Sequence, residues 1–239
     1  MKQYIKWKKM RKWFGLLIFI CFAWILGNIL IHNVSVKEVP SLWNNGIQNE
    51  DFHNIPQSGD WNLILVNHWN KIPDNYNVTL IELSNGQRVD SRIYPDLQAM
   101  FDDARSEGIY PIVREGYRTE GEQQAEFEEK VQAYMNEGYS KEKAEELAQR
   151  WVALPGTSEH QLGIAVDINA DKIRSSNEDV YVWLAQNAYK YGFILRYPQG
   201  KENITGTDYE PWHYRYVGKG VAEEIYRDQI CLEEYLKNN

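Results

Sequence analysis

The sequence is nearly devoid of cysteine. Cys21 and Cys231 are the two in 239 residues, one inside an apolar N-terminal run and the other near the C-terminus, so there is no disulfide framework. Any metal site must then be built from histidine and carboxylate. Acidic residues are absent from positions 1–12, which carry Lys2, Lys6, Lys8, Lys9, Arg11 and Lys12. Charge of either sign is absent from residues 13–31. A helix of those 19 residues would be ~28 Å long, enough to span the hydrocarbon core of a bilayer. No small-x-small cleavage site follows the run, and Phe19-Ile20 lacks the small residues that precede a lipidated cysteine. These features predict an uncleaved, single-pass signal anchor at the cell membrane, with the basic flank in the cytoplasm and everything after Ile31 outside.

Basic charge is scarce beyond that tail. The remainder holds 20 Lys+Arg against 34 Asp+Glu, a net charge of about −14, which argues against nucleic acid or an anionic lipid surface as a partner. Residues 32–59 contain Pro40, Pro56 and several Asn and Gly with little periodicity, and read as an extracytoplasmic stalk. Residues 60–239 are long enough for one sizeable domain.

The periodicities in that domain predict an α+β fold. Residues 61–67 read as a short strand, and 78–83 with 88–93 as a hairpin turning at Asn85-Gly86. Pro95 opens a helix that turns Leu97, Met100, Phe101 and Ala104 inward and ends near Gly108. A strand over 109–114 delivers Gly116-Tyr117-Arg118 to a loop. Acid-rich helices fill 120–150, broken at Gly138, with Ser140 as N-cap of the second. A helix over 180–191, a strand over 193–197, a polar loop over 200–208 and a strand over 213–217 follow, and one terminal helix over 221–236 covers the sheet.

Two stretches carry chemistry. In the first, His160 and Asp167 stand seven residues apart, and Asp167 lies inside the apolar run 163–168, where a carboxylate needs a partner such as a metal ion. In the second, His213 follows Glu210 by three residues. Two histidines and one carboxylate give zinc three protein ligands and leave a fourth position open, the arrangement of a hydrolytic site. The extra acid, Glu210, can then accept a proton from water and hand it to a leaving amine, or it can orient a ligand from behind. His68, alone after its predicted strand, reads as a hydrogen-bonding or surface residue. Ser158 is not a penicillin-binding-type nucleophile, because the position three residues on is Gln161 and not lysine.

The pattern Ser158-x-His160-x-x-Gly163-x-Ala165-x-Asp167, followed by Glu210-x-Trp212-His213, resembles the LAS-type zinc peptidases that trim bacterial peptidoglycan. Within these it is most similar to the VanY-like D-alanyl-D-alanine carboxypeptidases. The likeness runs over roughly residues 60–230 and includes Gly116-Tyr117-Arg118-Thr119 and the run 192–198. It implies a small central antiparallel sheet with flanking helices, the fold shared with hedgehog-type relatives. It also implies one zinc per chain on His160, Asp167 and His213, with Glu210 as catalytic base and Arg118, Gln123 and Ser158 as substrate-binding residues. The implied substrate is a peptidoglycan stem peptide ending in D-Ala-D-Ala, cleaved outside a cell of Gram-positive type during wall remodelling or in glycopeptide resistance. An L,D-carboxypeptidase acting on tetrapeptide stems, a D,D-dipeptidase and a zinc-containing binding module without turnover are the alternatives.

Overall fold

A computed structural model describes residues 59–239. The expected tail over 1–12, anchor over 13–31 and nearly all of the stalk over 32–59 lie outside the described residues. Among the described residues no helix is long and apolar enough to cross a membrane.

The first regular element is the predicted hairpin. Strands β1 (Leu80–Glu82) and β2 (Arg88–Asp90) pair antiparallel as a separate two-stranded sheet, and Gly86 takes the left-handed φ of 83° that the turn demands. Helix α1 (Tyr94–Ser106) has Pro95 in its first turn and buries Leu97, Met100, Phe101 and Ala104, the four residues that the helical period selects. After strand β3 (Pro111–Glu115) come α2 (Glu120–Asn136) and α3 (Lys141–Gln149), capped by Thr119 and Ser140. A 3₁₀ turn (Glu159–Leu162) leads into β4 (Ala165–Ala170), and α4 (Asn177–Asn187) follows, with a second 3₁₀ turn (Ala188–Tyr191) at its end. The chain then passes through β5 (Phe193–Leu195), the short helix α5 (Glu202–Thr205) within the expected polar loop, and β6 (His213–Tyr216). Helices α6 (Lys219–Asp228) and α7 (Leu232–Asn238) close the domain.

The main sheet has the order β3-β4-β6-β5, antiparallel throughout. Its pleat divides the chemistry from the core. Val166 and Ile168 of β4 and Tyr214 of β6 join Leu97 and Met100 of α1 and Trp183 and Leu184 of α4 in the principal apolar cluster. Asp167, His213 and Arg215 alternate with those residues and so project from the opposite face.

Two expected elements differ. Residues 61–67 form no strand, although Leu65 and Val66 are fully buried. The carbonyls of Asn62 and Ile64 accept hydrogen bonds from Arg215 Nη2 at 3.1 and 2.9 Å, so a guanidinium takes the place of a neighbouring strand. The single terminal helix is two. Gln229, with φ of 52°, breaks it, and the apolar period runs on through Ile225 and Leu232 into the same small cluster with Leu65, Ile194 and Val217.

Candidate active site

Antiparallel pairing sets Asp167 directly opposite His213, and brings Oδ1 of the acid to 3.0 Å from Nδ1 of the ring. His160 arrives on the 3₁₀ turn, with Nε2 3.5 Å from the same oxygen. Its other ring nitrogen, Nδ1, is 2.8 Å from the carbonyl of Gly116, which fixes the ring with Nε2 toward the acid. Gly116 has to be glycine: a Cβ there would collide with the carbonyl oxygen of Arg88. One ligand atom from each of His160, Asp167 and His213 lies within 4.8 Å of the others.

These residues fit a zinc ion. Tetrahedral zinc with ligands at ~2.0–2.1 Å places donor atoms ~3.3 Å apart, close to the 3.0 and 3.5 Å that separate Asp167 Oδ1 from the two ring nitrogens. The electrostatics agree. Burial opposes ionisation of Asp167, but the neighbouring imidazoles outweigh it and hold the carboxyl well below its usual range. Burial likewise opposes an imidazolium at His213, yet Asp167, Glu159 and Glu210 together push that residue up to about 9. Three acids around one buried histidine form a site that wants positive charge.

Glu210 stands beside this cluster, with Oε2 3.7 Å from His213 Nδ1. Burial raises its pKa to about 8, and the negative charges of Asp167 and Asp208 add to the effect against His213 and Arg118. A tight turn holds it there: its own amide donates to the Tyr197 carbonyl, and its carbonyl accepts from the His213 amide, each at 3.2 Å.

His160, Asp167, His213 and Glu210 line one end of a cavity of about 440 Å³, whose wall also includes Arg118 and Ser158. Arg118 follows β3 in the loop, and its backbone N–H donates to the His160 carbonyl at 3.2 Å. Its Nη1 donates to Gln123 Oε1 at 2.8 Å, and Nη2 lies 3.7 Å from Glu115. The neighbouring Gln124 turns outward to Glu128. Gln123 is buried with both ends of its amide engaged, the oxygen by Arg118 and the nitrogen by the Ala153 carbonyl at 2.6 Å. It therefore acts on the guanidinium. Ser158 is buried at the start of the 3₁₀ turn, where its side chain makes no capping hydrogen bond. His68 is not among the candidate ligands and packs against Trp69.

Sequence reasoning missed a group of buried charges behind the ligands. Glu159, Arg196, Arg215 and Glu233 are all within 1% of complete burial. Arg196 donates from Nε to Glu159 Oε1 and from Nη1 and Nη2 to Glu233, while Arg215 Nη1 shares Glu159 Oε1. Asn67 Nδ2 adds a bond to Glu233 at 3.1 Å. The signal was present for the arginines: Arg196 interrupts an apolar strand, and Arg215 alternates onto the same face as His213.

The match to the family model described as "VanY: D-alanyl-D-alanine carboxypeptidase" extends over residues 86–219, more than half of the chain, and contains Arg118, Gln123, Ser158, His160, Asp167, Glu210 and His213. The chain belongs to the VanY family. A D-alanyl-D-alanine carboxypeptidase of Enterococcus faecalis is 57% identical over 177 residues, which are 74% of this chain and 66% of that protein, just under two thirds of its length. Among solved structures, a VanY D,D-pentapeptidase from a VanB-type resistance cassette, determined with Zn(II), is 57% identical with a TM-score of 0.73. It covers 74% of this chain and 99% of its own. VanYB in complex with D-alanine-D-alanine is 56% identical with a TM-score of 0.75, covering 75% and 99% of the two chains. These VanY structures share the α+β architecture with antiparallel sheets and flanking helices.

Proposed function

We propose that this chain is a zinc-dependent D,D-carboxypeptidase that removes the C-terminal D-alanine from peptidoglycan stem pentapeptides. The observation that carries this is the shared cavity. One wall offers the His160, Asp167 and His213 ligand atoms with Glu210 beside them, and the same cavity offers the Arg118 guanidinium. The zinc-bound and D-alanine-D-alanine-bound VanY structures support the metal and the substrate class.

Arg118 receives the free carboxylate of the terminal D-alanine through its planar fork, and Gln123 keeps that fork pointed into the cavity. Anchored at its end, the substrate can present only its last peptide bond to the ligand cluster. Zinc, when bound, supplies Lewis acidity that polarises the scissile carbonyl and makes water acidic enough to deprotonate near neutral pH. Glu210 takes the proton from the attacking water. It then delivers a proton to the departing nitrogen as the C–N bond breaks, releasing D-alanine and a peptide shortened by one residue. Ser158, buried in the cavity wall, serves the terminal residue.

The reading includes an N-terminal anchor over residues 13–31 that holds the domain outside the membrane, supported by the uncharged run and its basic flank. Wall remodelling and glycopeptide resistance would draw on the same reaction.

Mass spectrometry of products tests the assignment. The full chain, with and without a zinc chelator, is given muropeptides ending in D-Ala-D-Ala and in a single D-Ala. Chelator-sensitive loss of one alanine from the pentapeptide is expected. Cleavage of the tetrapeptide alone would make it an L,D-carboxypeptidase, and no cleavage by zinc-loaded protein would leave a binding module.

A further inference from the structure

The reaction proposed above makes no use of Glu159, the wholly buried acid that immediately precedes His160. Its two oxygens are treated very differently. Oε1 accepts from Arg196 Nε and Arg215 Nη1, each at 2.8 Å. Oε2 is buried and accepts from nothing, and 3.7 Å away lies His213 Nε2, also buried and also without a hydrogen-bond partner. Two complementary orphans thus face each other within a small shift of bonding distance. Buried polar atoms left unpaired are rare in native proteins, and each one calls for an explanation.

The other side of the same ring supplies it. His213 Nδ1 is the nitrogen turned toward Asp167 and the ligand cluster. A histidine that donates the Nδ1 lone pair as a neutral imidazole carries its proton on Nε2, and a buried N–H needs an acceptor. With Oε1 saturated by two guanidiniums, Oε2 is the acceptor in reach. His160 solves the mirror-image problem with the Gly116 carbonyl at its Nδ1.

We infer that Glu159 is a positioning residue for the metal site: its Oε2 accepts the Nε2 proton of His213, holding that ring with Nδ1 turned toward the metal. Arg196 and Arg215 hold the carboxylate in place. The residue next to one ligand in sequence thereby orients the other ligand. The inference rests on the assignment of His160, Asp167 and His213 as the zinc ligands.

The test measures zinc affinity of the full chain by competition with a chromophoric chelator, independently of turnover, and compares Glu159→Gln with Glu233→Gln. Glu233 is an equally buried counter-charge of Arg196 that does not touch His213. Glu159→Gln is expected to bind zinc ten- to a hundredfold more weakly and to alter the visible absorption of the cobalt-substituted protein. Glu233→Gln is expected to lower the melting temperature while leaving zinc affinity within about twofold of the parent. Equal loss of affinity in both variants, or none in Glu159→Gln, would overturn the inference. Nitrogen-15 NMR of histidine in the zinc-loaded parent chain gives a readout free of folding defects: a proton on Nε2 of His213 is expected, and a bare Nε2 would also overturn it. A parent chain that takes up no zinc would remove the ligand assignment along with this inference, whereas normal uptake with unchanged variants would remove this inference alone.

Discussion

Asp167 and His213 are cross-strand partners on β4 and β6, with Oδ1 and Nδ1 3.0 Å apart. The spacing of these two candidate ligands is therefore set by the antiparallel ladder. A slip of one residue in that register would send one of them into the apolar core.

Replacing Glu210 with Gln preserves the shape of the site and removes its proton acceptor. Turnover should fall by about 10²- to 10⁴-fold with zinc content unchanged, as read by steady-state release of D-alanine beside metal analysis. Near-parental activity would remove Glu210 as the base.

Arg118→Lys keeps the positive charge but loses the bidentate fork held by Gln123. On peptides ending in a free D-alanine, kcat/KM should drop at least tenfold. On an amidated C-terminus the variant and the parent should differ little. An equal loss on both substrates would place Arg118 outside carboxylate recognition.

Protons compete with the metal. In the metal-free chain His213 is raised to about 9 from an ordinary 6.5, and Glu210 to about 8 from an ordinary 4.5, so the fold favours the protonated form of each. Their contributions to metal-free stability are complete at low pH and are lost as pH rises, for Glu210 between about 4.5 and 8 and for His213 between about 6.5 and 9. Zinc displaces the proton from His213, so apparent affinity should rise from pH 6 to 9. Titration calorimetry in buffers of different ionisation enthalpy should show net proton release at pH 7. Proton-neutral binding would contradict it.

Zinc removal should also be visible as lost stability. At a free zinc concentration about 1,000 times the dissociation constant, the bound form gains ~4 kcal/mol over the metal-free one. The chelated chain should melt several degrees lower, and readdition of zinc should restore the curve. Coincident melting curves would show that the ion does not bind the folded state.

Much of the site was legible because it is local. His160 and Asp167 lie on one stretch, and Glu210 and His213 on another, so each half of the chemistry is spelled within a few residues. The pleat of β6 was legible too: alternation put His213 and Arg215 on one face, and both now face Glu159. What could not be read was long-range satisfaction. Nothing in residues 61–67 says that their carbonyls will be met by Arg215, more than 150 positions away, so an apolar run there looks like a strand. The break at Gln229 was hidden because Ile225 and Leu232 keep a helical period while belonging to two helices. The family resemblance implies a substrate role for Gln123, but nothing near it in sequence shows that Arg118 and the Ala153 carbonyl engage the two ends of its amide.

Glu233 backs Arg196 behind the cavity, twenty residues after His213 in the chain. Its carboxylate accepts two of the three hydrogen bonds that hold the Arg196 guanidinium, the third going to Glu159. A chain cut between residues 216 and 232 would thus keep every candidate ligand together with Glu159 and Arg215 but leave Arg196 with Glu159 as its one carboxylate partner, a loss borne by the stability of the domain and not by the ligand set.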